Sequence, residues 1–296
     1  MVDLKSTVVE KPLEAGVLVR LSDRVRRITA ANGGPMTGAG TNGYVVGERE
    51  LAVIDPGPLD EAHVEAIIAQ AGGVIRWVLV THTHSDHSPA AKLLAERTGA
   101  ELIGCVMEPT DGHQDSSFEP TITLQDQQTL TTPEFTLTAV YTPGHVGNHF
   151  CFWLPEDGMM FTGDHLMQGT TVVIIPPSGD MADYIASLEK LNDYPVKYLA
   201  PGHGHLMADA PSVVSGLIRH RTLREVKVVS ALKKLGEVSM ETLVAEVYKD
   251  VDPSLHPIAL YSLWAHLLKL EKEQRAQKHA EPDCLFGQEL WKLSTH

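Results

Sequence analysis

A chain of 296 residues, 43% of them hydrophobic, can bury one large core or a domain with a smaller appendage. Its 24 Lys and Arg face 38 Asp and Glu, a formal charge of -14 that disfavours coating nucleic acid while leaving room for a local basic groove. Three scattered cysteines, Cys105, Cys151 and Cys284, form no CxxC pair, the N-terminus lacks an apolar signal core, and no stretch nears the roughly 18 apolar residues of a membrane span, so a cytoplasmic protein without disulfides is expected.

In chain order, RVRRITA, GYVVG and LAVIDPG read as strands. LDEAHVEAIIAQAG then has apolar residues at helical spacing and stops at Gly72. IRWVLVTH is the next strand, and PAAKLLAERTGA is a helix opening near Pro89 and closing at Gly99. Strands follow at ELIGC, FTLTAVYTPGH, FCFWL, GMMFTGD and VKYLAPGHG, with the helix MADYIASLEKLND between the last two. This alternation predicts a layered α/β architecture. From about Ser212 the pattern turns helical, through SVVSGLIRHRTLREVKVVSALKKLG, SMETLVAEVY and IALYSLWAHLLKLEKEQRA, before CLFGQELWKLS suggests two short strands around Gly287. The expected division is therefore an α/β domain over residues 1–222 and a winged-helix-like domain over 223–296. Charges nearly cancel in the second part, so the acidic excess lies in the first.

The stretch VLVTHTHSDHSPAA, residues 78–91, crowds His82, His84, Asp86 and His87 where a strand gives way to a turn. Alternation along an extended chain sends His82 and His84 to one side, and the turn brings Asp86 and His87 toward a neighbouring point. His145 in TPGH, Asp164 in FTGD and His203 in PGHG sit at three further strand ends, each beside a glycine. Five histidines and two carboxylates suffice for two borderline-soft cations, with room left for water. His145 or His203 alone reads better as a surface or capping residue; the set, led by the six-residue cluster, does not.

HTHSDH, TPGH, FTGD and PGHG, in this order, resemble the metallo-β-lactamase superfamily. GPMTGAGTNGYVVG upstream, RHRTLRE and the helical tail resemble its lactamase-beta-like branch with a C-terminal winged-helix domain, whose animal members are endoribonucleases. The resemblance implies an αββα sandwich and a dinuclear zinc site, with His82, His84 and His145 on one ion, Asp86, His87 and His203 on the other, and Asp164 bridging. Fe or Mn would suit the same donors. It also implies a metal-dependent hydrolase using metal-bound hydroxide, with Asp86 orienting the attacking water.

Other residues have two readings each. Asp55, in VIDPG, is either a partner fixing the tautomer of a ligand histidine or a turn-former before Pro. His149, His165 and His205 lie close in sequence to ligands and are candidates for substrate contact or for structural support. Tyr184, with Asp183, follows the IIPPSGD loop and reads as a pocket wall or as helix packing. His113 sits in a polar loop and reads better as an ordinary exposed histidine than as part of a lid over the site, and Thr41 and Asn42 sit in another loop that the resemblance puts near the metals. Leu263, Leu267 and Leu270 are expected core.

Branch features favour single-stranded RNA as substrate, whereas the acidity favours a small thioester, lactone or other ester as in glyoxalase II relatives, with promiscuous β-lactam cleavage open to either. A flavodiiron-like redox role is disfavoured by His84 and by the missing flavodoxin-like domain. A nonenzymatic nucleic-acid binding protein with structural metal is the alternative of another class. The tail reads better as packing, or as a homodimer contact, than as a base reader, because its candidate recognition helix is apolar with scattered Lys. No membrane partner is expected.

Overall fold

A computed structural model describes residues 8, 10–108, 112–279 and 285–294. Its first sheet holds β1 (Leu18–Arg20), β2 (Val25–Thr29), β3 (Asn42–Val46), β4 (Glu50–Ile54), β5 (Val74–Leu79), β6 (Glu101–Gly104) and β7 (Ile122–Thr123), in sequential order. The second holds β8 (Thr129–Thr131), β9 (Thr136–Tyr141), β10 (Phe150–Leu154), β11 (Met159–Gly163), β12 (Tyr198–Pro201) and β13 (Met207–Ala208). Against the first sheet lie α1 (Glu61–Ala71) and α2 (Ala90–Thr98); against the second lie α3 (Met181–Lys190) and the N-terminal half of α4 (Ala210–Leu235). The result is the layered α/β architecture that the alternation predicts, in the αββα form that the family resemblance implies.

Strand sequences dictate this layering. All five residues of β10 are buried, and they alternate: Phe150, Phe152 and Leu154 join the core between the sheets, while Cys151 and Trp153 join the core beneath α3 and α4. In β4, Ala52 and Ile54 face the other sheet while Leu51 and Val53 meet Val64 and Ile67 of α1. Asp60 caps α1 by accepting from the amides of Ala62 and His63, and Gly72, at φ 77°, ends it.

The tail comprises β14 (Val238–Ser239), α5 (Met240–Val247), α6 (His256–Lys272), β15 (Ala276–His279) and β16 (Leu290–Leu293), and Leu263, Leu267 and Leu270 are fully buried in its core. The expected strand pair around Gly287 is corrected. β16 pairs with β15 on one side and with β14 on the other, so the first arm of the hairpin lies in AQKH, ahead of CLFG. Cys284 lies outside the described residues, and Cys105 and Cys151 are free thiols. Residue 222, where the sequence reading divides the chain, falls inside α4: Val213, Val214 and Leu217 pack on the sandwich, Val228, Ala231 and Leu232 on the tail. Among the described residues no helix is long and apolar enough to cross a membrane.

Candidate metal centre

Strand direction gathers the candidate ligands. β4 and β5 run parallel, so Asp55 and the loop carrying His82 to His87 leave the first sheet at one edge. β11 and β12 are parallel, and β9, antiparallel to β10 as is β11, runs the same way. His145, Asp164 and His203 therefore follow strands whose C-terminal ends share one edge of the second sheet. A crevice at strand C-termini is where open α/β sheets bind ligands.

All seven predicted side chains meet there, as groups of donor atoms within 4.8 Å of one another: His82, His84 and His145; Asp86, His87 and His203; and His82, His87 and Asp164. His84 Nδ1 is 3.0 Å from His82 Nε2 and 3.0 Å from His145 Nε2. Asp164 spans the two groups, with Oδ1 3.4 Å from His87 Nε2 and 3.3 Å from His203 Nε2, and Oδ2 3.8 Å from His145 Nε2. Asp86 Oδ2 lies 3.2 Å from His203 Nε2, and its side chain is 27% exposed against 11% for Asp164. Asp86 is thus the carboxylate of the cluster most open to solvent.

Four of the five histidines are held by the other ring nitrogen. The Nδ1 of His145 is 2.8 Å from the Val173 carbonyl, and that of His203 is 3.2 Å from the Gly40 carbonyl. A carbonyl only accepts, so both Nδ1 atoms carry a proton and both Nε2 atoms are turned toward the cluster. His87 Nδ1 is 2.9 Å from Asp55 Oδ2. Thr81 donates its hydroxyl to the same oxygen at 2.7 Å and accepts from His82 Nδ1 at 3.0 Å. Gly202 makes room for the convergence: a Cβ there would lie 2.7 Å from His87 Cε1 and 2.8 Å from Asp164 Oδ1.

Electrostatics divide the histidines. Burial, then His84, pushes His145 down to about 4, and burial, then His87, holds His82 well below its ordinary value. Burial also opposes charge on His203, but Asp164 and Asp86 outweigh it and lift the ring to about 9. Burial of Asp86 is outweighed by His87 and His203, which bring the carboxyl down to about 2. His82 and His145 are thus held neutral, whereas His203 and Asp86 favour an imidazolium beside a carboxylate.

The remaining candidates separate. Asp55 is a partner of a ligand histidine. His149 is fully buried behind the ligands, its Nδ1 2.9 Å from Thr142 Oγ1 and its ring 5.1 Å from that of His82, so it has no face for substrate. His165 is fully buried as well, held at about 3 by burial. Tyr184 is buried and donates its hydroxyl to the His165 carbonyl at 3.0 Å; it packs α3 and is not a pocket wall. His205 Nδ1 is 3.3 Å from Glu10 Oε2. His113 is exposed, its ring 6.5 Å from that of His84. Thr41 bridges to His203, and Asn42 donates to the carbonyls of Pro201 and Gly204, so this loop shapes the His203 turn. Sequence reasoning missed Thr81, Val173 and Gly40, whose contributions are a hydroxyl and two backbone carbonyls, and Asn148, which donates to Thr83 Oγ1 at 2.7 Å between two ligands.

The donor set fits divalent cations. His87 Nε2 and Asp164 Oδ1 are buried without a hydrogen-bond partner, a costly arrangement unless something else engages both atoms. Nitrogens on a tetrahedral ion at about 2.0–2.1 Å stand about 3.3 Å apart, close to the 3.0 Å separations around His84.

Fold and cluster together define a hydrolase of the metal-binding kind. The model of the metallo-beta-lactamase superfamily matches residues 36–203, and that of the beta-lactamase associated winged helix domain matches residues 239–286. A beta-lactamase-like protein 2 homolog of Caenorhabditis elegans is 30% identical over 261 residues, 86% of each chain. An atrochrysone carboxyl ACP thioesterase of Aspergillus chevalieri is 31% identical over 270 residues, 86% of this chain and 83% of that one. A solved beta-lactamase domain protein from Burkholderia ambifaria superposes with TM-score 0.82 at 19% identity, covering 97% of this chain and 96% of that one, a likeness of fold. The chain belongs to the metallo-β-lactamase superfamily and carries its associated winged helix.

Proposed function

We propose that the chain hydrolyses an acyl thioester, with zinc held by His82, His84 and His145 at one position, by Asp86, His87 and His203 at the other, and with Asp164 shared. The carrying observation is the pair of three-ligand groups joined through the two oxygens of Asp164. Bound there, two divalent ions would acidify a shared water and polarise the scissile carbonyl. Asp55, Thr81 and the carbonyls of Val173 and Gly40 fix the ring orientations before substrate arrives. Asp86, the more exposed carboxylate, is the group that orients the attacking water. Water adds to the carbonyl carbon, the C–S bond breaks, and a carboxylate and a thiol leave.

A groove of about 290 Å³ supports an acyl substrate. Val106, Met107, Leu124, Tyr141, Asn148 and Phe150 line it, and it adjoins the ligands through the Asn148 bond to Thr83 and through Gly147, two residues after His145. Its lining includes Asp126 and neither Lys nor Arg, and Lys190 at its edge is paired with Asp126 at 3.5 Å, whereas a path for a nucleic-acid backbone needs several free cations. The single-stranded RNA reading favoured by the sequence finds no support in this groove, and relatives whose printed names give a reaction are thioesterases.

The test is turnover of acyl thioesters of increasing chain length, beside lactones and single-stranded RNA, by one zinc-loaded sample with and without chelator. Chelator-sensitive thioester cleavage is expected. RNA cleavage with inert thioesters would overturn the substrate, and a purified chain that takes up no metal would overturn the ligand assignment.

A further inference from the structure

The stretch RHRTLRE, residues 219–225, lies midway along α4 and away from the ligand loops, yet Arg221 is 3% exposed and Arg224 7%. The two serve different modules. Arg224 donates to the Val247 carbonyl and to Asp250 Oδ1, both at 2.8 Å, and lies 4.2 Å over the Tyr248 ring, all within the tail. Arg221 donates to the Val172 carbonyl at 2.5 Å and lies 5.2 Å over the Tyr184 ring, within the sandwich.

Arg224 has a counter-ion in Asp250; among the described ion pairs Arg221 has none. Its Nε is also buried without a hydrogen-bond partner. Burying an uncompensated guanidinium costs several kcal/mol, and a Leu or Met would pack α4 without that cost. The contacts of Arg221 indicate what offsets it. Val172 precedes Val173, whose carbonyl holds the Nδ1 of His145, and residues 171–175 belong to no strand or helix that would otherwise fix those carbonyls. Tyr184 donates to the carbonyl of His165, the residue after Asp164. Its backbone also presses on the chain just before His145, since a Cβ on Gly144 would fall 2.3 Å from Tyr184 Cα. One side chain therefore bears on the supports of two candidate ligands in different loops.

We propose that Arg221 is a positioning residue of the metal centre: by fixing the 172–173 backbone and the Tyr184 ring, it sets the His145 ring and the Asp164 loop in register. The proposal rests on the ligand assignment above. It makes the helix shared with the tail part of the site's rigidity, without contact to substrate or metal.

The test uses the full chain loaded with Co2+, read by its visible absorption bands, which report coordination geometry, and by chelator competition. R221M is expected to shift the bands and weaken retention of one of two ions by about tenfold, the lower end of the range for outer partners of metal ligands. R221K, which keeps a donor for the Val172 carbonyl but no planar face for Tyr184, is expected to restore part of both, and it is the variant read if R221M does not fold. R224M controls for loosening of α4: it is expected to lower Tm and leave the bands unchanged. Wild-type bands and retention in the Arg221 variants, or an equal change in R224M, would overturn the positioning role. Failure of the wild-type chain to bind Co2+ at all would instead sink the ligand assignment.

Discussion

The Asp55 carboxylate holds His87 and His82 together: Oδ2 is 2.9 Å from His87 Nδ1 and 2.7 Å from the Thr81 hydroxyl that itself accepts from His82, while Oδ1 takes the Thr81 amide at 2.7 Å. Asn at this position retains one acceptor oxygen and turns an NH2 group toward one of these donors. Asp55 sits at φ 49°, which Asn tolerates, so backbone strain does not confound the exchange. Asp55→Asn is expected to weaken metal retention by about ten- to a hundredfold, measured by chelator titration with circular dichroism as the check on folding.

Asp86 is the cluster carboxylate open to solvent, so its loss acts on turnover before stability. Asp86→Asn is expected to lower kcat by about a hundredfold or more while Tm moves little. Full activity in this variant would remove Asp86 from the reaction.

Gly202 faces two ligands at distances no Cβ tolerates, 2.7 Å to His87 and 2.8 Å to Asp164. Gly202→Ala is expected to yield a folded chain short of metal, because the ligands can yield more readily than the adjoining sheet. Elemental analysis of the purified variant measures this; wild-type stoichiometry would contradict it.

Arg224 ties α4 to Asp250, whose burial is outweighed by Arg224 and Lys227, holding its pKa below the ordinary carboxylate range. A depressed carboxyl pKa stabilises the fold above the unfolded value, about 3.9, and the contribution drains away as pH falls through the folded one. Thermal melts are expected to separate wild type from Asp250→Asn at neutral pH, with the gap beginning to narrow only below about pH 4 and still open at pH 3, because the folded carboxyl titrates lower still. Asp250 is half exposed, which keeps the difference small.

The ligands were legible because their chemistry resides in residue type and they follow strands of visible period. Their supports were not. The carbonyls of Val173 and Gly40 lie 28 and 163 positions from the histidines they hold, and a backbone carbonyl has no signature in sequence. Nearness in sequence also misled: His149 and His165 adjoin ligands along the chain but are fully buried, where they fill the space behind the cluster. In the tail, Gly287 has the positive φ of a turn, 93°, yet the partner of β16 lies well upstream of it, because pairing is decided by which strand completes the small sheet.

The continuity of α4 bears on how the two modules can be exchanged or expressed apart. A fragment ending at residue 222 keeps Arg221 but stops the helix a single residue later, where end fraying reaches the guanidinium. Extending the fragment to Gly236 restores the turns that hold Arg221 but bares Val228, Ala231 and Leu232, an oily stripe cut from the tail's core. A grafted tail from a relative therefore has to bring its own matching stripe, and recombination between such proteins is safest beyond Gly236, after the helix has closed.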